Sequence, residues 1–230
     1  LTDASVCSLM GVSPVPDLPL GEFRWEEFCP PYFFSFFLIG VPIPPSVQLW
    51  GYADDLALTS YGIPAPAHLQ TALDDLVLWT THNNMKINPG KCATLVAGRP
   101  ARDLALVING VPIPQVTQFL YIGVPISATL TTMPLLDRTV QRINSSIPLA
   151  KKFKRIKCFQ TKLTLYLTYM RPRGEYVAPL LYLVNENQKR VIDRAHCRLL
   201  KILFGLPKRA TNTRLLIDLG LERPSTRLDV

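Results

Sequence analysis

Cysteine is scarce in this chain of 230 residues, and the five that occur (Cys7, Cys29, Cys92, Cys158 and Cys197) are odd in number and far apart. No two stand at C-x-x-C spacing, which excludes a short-spaced zinc site, and so wide a scatter draws no disulfide framework. Free, mostly buried thiols in an intracellular, reducing setting are the expectation. His196 stands beside Cys197, but no further ligands lie close in sequence, so that pair reads as helix packing. Long apolar runs are lacking too. The most apolar stretch, "YFFSFFLIGVPIPP", is broken by prolines after about a dozen residues, short of the ~20 that a bilayer-crossing helix needs. No basic segment followed by an apolar one opens the chain, so no signal peptide is visible. No internal repeat or low-complexity segment occurs. The chain opens at Leu1 rather than Met, which suggests a fragment or a start lying further upstream.

What is present is apolar mass and an uneven charge. Nearly half of the residues are hydrophobic, ample for a buried core in one large domain or two small ones. Residues 1–150 carry 7 Lys+Arg against 11 Asp+Glu, a net −4; residues 151–230 carry 18 against 6, a net +12. A basic region of that size suits nucleic acid or another anionic surface; its bland counterpart is a set of solvated helix faces.

Along the chain the texture changes twice. Residues 1–46 are rich in proline and aromatics and read as irregular, with Phe33 to Phe37 leaning to a short helix that Pro42, Pro44 and Pro45 terminate. Val47 to Leu58 reads as a hairpin with its tight turn at Ala53 and Asp54. Leu69, Ala72, Leu73, Leu76 and Val77 follow at helical spacing, closed by Asn83 and Asn84. "MKINPGKCATLVAG" reads as strand, turn, strand about Asn88-Pro89-Gly90, Asn109-Gly110 marks another hairpin, and "TQFLYIGVPIS" is a further β segment. Residues 47–130 therefore form an α+β layer. Over residues 131–230 the pattern is helical: Leu135, Leu136, Val140, Ile143 and Ile147 in one helix, Leu163 to Tyr169 in a second, and Val191 to Leu203 in a third that ends at Gly205 and Pro207.

The question with most chemistry in it is the pair Asp54-Asp55 in "QLWGYADDLALTS". Adjacent aspartates at a turn are commonly structural, because Asp favours turns. The sequence holds its own comparison: Asp74-Asp75 repeats the dipeptide inside an amphipathic helix, flanked by Leu73 and Leu76, where the carboxylates face water. The dipeptide decides nothing; the setting does. Two carboxylates at the tip of a rigid hairpin repel each other unless a cation compensates them. Mg²⁺ prefers a few carboxylates plus substrate phosphates over a full protein cage, and phosphoryl transfer commonly uses two such ions.

"YADD" between apolar strands resembles the catalytic hairpin of reverse transcriptases. "ALDDLVLWTTHNNMKINPGKC" resembles the helix and turn that follow it in the enzymes of non-LTR retrotransposons. "FLYIGVPIS" resembles their primer-grip hairpin, and "YMRPRGEYVAPLLY" with "IDRAHCRLLKILFGLPKRATNTRLLIDLGLERPSTR" resembles the helical region beyond the polymerase core. The likeness spans roughly residues 20–228, and its strength lies in four motifs in the expected order. It implies the C-terminal part of a palm plus a helical, basic thumb, in an RNA-directed DNA polymerase with Mg²⁺ (or Mn²⁺) as cofactor. RNA template, DNA primer and dNTP would be its partners, the nucleus its setting, and an upstream part of the same element protein its complement. Residue by residue, Asp54 would ligate the metal and Asp55 would support it. Tyr52 would pack near the primer end and the nucleotide, and Lys91 would lie near the incoming nucleotide. Phe119, Tyr121 and Gly123 would grip the primer. Lys151, Lys152, Lys154, Arg155 and Lys157 would meet the nucleic-acid backbone.

The likeness also has gaps. The family draws a third metal-binding aspartate from an earlier strand, yet before Tyr52 only Asp3 and Asp17 occur, neither in the family's pattern. The Gln-Gly of the nucleotide-pocket segment is missing from "FRWEEFCPPYFFSFFL", and fingers would precede Leu1. Without the third carboxylate the second ion and the primer hydroxyl are not aligned, so poor or no polymerisation by this chain alone is expected. Two other outcomes remain open at this stage: a non-catalytic nucleic-acid-binding module, and a relic without selected function.

Overall fold

The computed structural model describes residues 5–14 (as backbone), 38–53, 55–98, 103–129 and 131–226. The chain divides into two compact units, residues 1–130 and residues 131–230. The first mixes one long helix with antiparallel strands; the second is helical.

The first unit is organised around strand β1 (Ser5–Pro14). One edge of β1 pairs antiparallel with β3 (Asp55–Tyr61), Ser5 against Tyr61 and Gly11 against Asp55. β2 (Gln48–Tyr52) pairs with the outer edge of β3. The other edge of β1 meets two strands in succession: β5 (Ala93–Ala97) along Ser5–Leu9, and β4 (Met85–Ile87) along Val12–Pro14. Residues 1–46 are thus not irregular throughout. β1 escapes the sequence pattern because it has only two β-branched residues, Val6 and Val12, and no polar alternation. It is held by ladder hydrogen bonds along both edges, a tertiary cause that overrides weak local propensity. The Phe33 to Phe37 expectation falls outside the described residues. The turn at Asn88-Pro89-Gly90 is present, but β4 and β5 do not pair with each other. They form one interrupted strand along β1.

Helix α1 (Ala65–His82) packs on this sheet. Leu69, Ala72, Leu73 and Leu76 are fully buried with Leu56 and Leu58 of β3, as the helical spacing requires. Asp74 on the same helix is exposed and accepts a 2.8 Å hydrogen bond from Gln70 Nε2. Gln70 also exchanges bonds of 2.9 and 3.0 Å with the backbone of Val107, tying to the helix a small hairpin, β6 (Val107–Ile108) and β7 (Val111–Pro112). That hairpin turns at Asn109 (φ 50°) and Gly110 (φ 77°), the paired positive φ that an Asn-Gly turn anticipates. A further hairpin, β8 (Gln118–Tyr121) and β9 (Val124–Ser127), turns at Ile122 and Gly123.

The second unit contains α2 (Met133–Asn144), α3 (Ile147–Phe153) and α4 (Phe159–Leu165). A π-helical stretch (Tyr166–Met170) leads into α5 (Arg171–Glu175), followed by α6 (Glu186–Phe204) and α7 (Asn212–Asp218). The apolar run from Leu135 to Ile147 is split at Ser145-Ser146, because Pro148 cannot continue a helix. α6 begins with a capping box of Asn185 and Gln188 and ends at Gly205 in the left-handed conformation (φ 72°), as the Gly-x-Pro signal predicts. Its buried face (Ile192, Leu199, Leu200, Leu203) packs with α2 and α3.

Candidate nucleic-acid interface

Tyr52 pairs with Asp55, so a two-residue connection closes the β2–β3 hairpin, with Ala53 at φ 51°. Tyr52 is 58% exposed and Asp55 is exposed. Asp54 lies outside the described residues. Opposite Asp55, β1 places Gly11, and no residue of Ser5–Pro14 is acidic. Across β1 from the hairpin, the segment between Ile87 (paired with Val12) and Ala93 (paired with Leu9) spans the level of Met10 and Gly11. Lys91 is exposed in this segment, on a single 3₁₀ turn whose Asn88 Oδ1 accepts from Gly90 N at 3.0 Å. Asp55 and the turn that carries Lys91 therefore flank the same end of β1 from its two opposite edges.

Three residues implied as the primer grip lie on the separate β8–β9 hairpin. Phe119 and Tyr121 are half-buried on β8, and Gly123 (φ 73°) closes the turn beside Ile122 (φ 48°). A β-branched residue at positive φ carries strain of about 1–2 kcal/mol. Among the described residues no group of three or more His, Cys, Asp or Glu side chains could hold a metal ion.

In the second unit, 20 Lys+Arg face 7 Asp+Glu over residues 131–230, a net +13. Lys151 and Lys152 sit exposed in the last turn of α3, and Lys154, Arg155 and Lys157 are exposed just beyond it. Lys162 departs from this pattern. It is buried, donates 2.9 Å to Lys154 O at the end of α3, and lies 5.7 Å from the Phe204 ring centroid, so it caps a helix rather than meeting solvent.

Sequence reasoning missed a cleft of about 410 Å³ between α2 and α5, lined by Arg142, Ser145, Pro172, Arg173 and Tyr176. The Arg142 guanidinium lies 4.1 Å over the Tyr176 ring, and Arg173 lies 4.6 Å over Tyr169. Arg173 also donates 2.6 Å to Tyr169 Oη and 3.3 Å to Ser145 Oγ. The available signal was the i,i+4 spacing of Tyr169 and Arg173 in "YMRPRGEY".

Behind this surface lies a buried polar pair. Tyr166 Oη and His196 Nδ1 stand 3.1 Å apart in the helical core. Burial, and secondarily the nearby Arg171 cation, push His196 down to about 4. Burial raises the Tyr166 hydroxyl above its usual range and the Cys197 thiol to about 11. Cys158 is exposed and held below the ordinary thiol range, chiefly by the Thr161 side chain. His196 and Cys197 are thus core residues, in line with the packing reading.

No helix among the described residues is long and apolar enough to cross a membrane. No protein-family model matches the chain, and no curated protein matches it significantly.

Proposed function

We propose that this chain is a nucleic-acid-binding protein built on the C-terminal palm and thumb of a non-LTR retrotransposon reverse transcriptase. The observation that carries the reading is the net +13 of the helical unit, with Lys151, Lys152, Lys154, Arg155 and Lys157 exposed together. Such a cluster attracts phosphates by releasing counterions, without reading sequence. A primer–template of RNA and DNA is the proposed ligand. Binding measured across a salt series tests this: a steep loss of affinity with salt is expected, and salt-independent or absent binding overturns it.

A second reading, Mg²⁺-dependent (or Mn²⁺-dependent) transfer of a dNTP to a primer 3′-hydroxyl, is favoured by the exposed Asp55 and Lys91 flanking the same end of β1. The acid-free sequence of β1 opposite Asp55 weighs against it, since two carboxylates from one hairpin hold one divalent ion loosely. Primer extension on an RNA template, wild type beside Asp54→Ala, decides between the two readings. No extension by either protein is expected; extension abolished by Asp54→Ala establishes the polymerase reading.

A further inference from the structure

Arg142, Arg173 and Tyr176 line the α2–α5 cleft, and Tyr169 adjoins it beneath Arg173. Arg142 and Arg173 lie over the rings of Tyr176 and Tyr169, and the two tyrosines remain 50% and 47% exposed as residues. Neither arginine is in an ion pair among the described residues, and a guanidinium has five N–H donors, more than Arg173 spends on Tyr169 and Ser145. The rings are oriented from behind: Arg173 bonds the Tyr169 hydroxyl and Ser145 at once, which fixes the first pair against α2. At about 410 Å³ the cleft lies within the ~300–1,000 Å³ range of small-ligand sites.

We propose that this cleft and its rim form a binding site for single-stranded nucleic acid, with bases stacking against the half-exposed Tyr169 and Tyr176 and phosphates meeting Arg142 and Arg173. Unpaired bases are the occupant because they present free π-faces to aromatic side chains. A duplex buries those faces in its own stack and leaves only the phosphates to read. The charge of the unit favours a polyanion, and two Arg–Tyr pairs offer both a guanidinium for phosphate and an aromatic ring for a base. Arg over an aromatic ring also adds cation–π attraction and pre-orders both side chains, reducing what binding must immobilise. The inference rests on the nucleic-acid-binding reading and specifies where, and which form, the helical unit holds.

The test is fluorescence anisotropy of the full chain with a labelled homopolymeric single-stranded RNA, and with a blunt duplex of the same length. Tyr169→Ala and Tyr176→Ala are each expected to weaken single-strand binding about ten-fold. Duplex binding stays unchanged, and Phe at either position restores most of the loss. Arg142→Gln should shallow the single-strand salt dependence by about 0.7 in log–log slope, one phosphate contact. Because both rings are half-exposed, Tyr→Leu serves as a second variant should either alanine protein unfold, and it should lose affinity in the same way. Single-strand affinity unchanged in all tyrosine variants, with wild-type binding intact, overturns the cleft and leaves the broader reading standing. No salt-sensitive binding of any nucleic acid by the wild type overturns both. Equal, tyrosine-dependent binding of a polyglutamate peptide overturns the assignment to nucleic acid in favour of an acidic peptide.

Discussion

Gly174 has no room for a methyl group. A Cβ there would stand 2.6 Å from His196 Nε2 and 2.7 Å from Ile143 Cγ1, so α5 approaches α2 and α6 closely only because this residue is glycine. Gly174→Ala is expected to destabilise the helical unit by about 1–3 kcal/mol, measured by chemical denaturation, despite the better helix propensity of alanine. Burial in this contact, with the Arg171 cation nearby, keeps His196 neutral. Its folded-state value of about 4 lies below the ~6.5 of the unfolded chain. Between those values the unfolded chain binds the proton and the folded one does not. Stability is therefore whole above about pH 6.5 and falls as pH drops toward about 4, by roughly 3 kcal/mol in all. His196→Gln retains an acceptor for Tyr166 Oη and cannot titrate. Denaturation midpoints at a series of pH values should show the decline in the wild type and a flatter profile in the variant; parallel profiles would refute the assignment.

Helix α1 shows how an element governs neighbouring side chains. Leu73 and Asp74 are consecutive on α1, yet Leu73 is fully buried against the sheet and Asp74 meets water and Gln70. Leu73→Ala should cost about 2–5 kcal/mol, and Asp74→Asn less than about 0.5 kcal/mol, by the same denaturation measurement. That contrast was legible in the sequence, because a 3.6-residue period states which side of a helix is covered. So were the Asn-Gly hairpin and the αL glycine that ends α6, since both need backbone angles that few residues adopt. β1 was not legible. "SVCSLMGVSP" carries no strong pattern of its own, and its partners lie about 45 to 90 residues away, beyond any local signal. The Arg–Tyr cleft was half legible: the Tyr169–Arg173 spacing lies on one helical turn, but Arg142 reaches Tyr176 only through the packing of α2 on α5. Basic residues were visible as a cluster, whereas composition could not reveal that Lys162 is a buried helix cap.

For the whole molecule, charge and topology divide along the same line. The first unit is mildly acidic and non-local in its pairing; the second is strongly basic and helical. Replacing Lys151, Lys152 and Lys157 with Gln should lower the log–log salt slope of single-strand binding by about 2, roughly 0.7 per lost phosphate contact, in a titration over several salt concentrations. The position of β1 in the sheet has a kinetic consequence as well. During synthesis β1 emerges before its partners: its first edge is covered only once Tyr61 is out, and its second only once Ala97 follows. Until then an open strand edge is exposed to other nascent chains, a hazard that short-range helical contacts in residues 131–226 do not share. Refolding from denaturant should accordingly resolve into a fast helical phase and a slower sheet phase, with loss to aggregation confined to the interval between them.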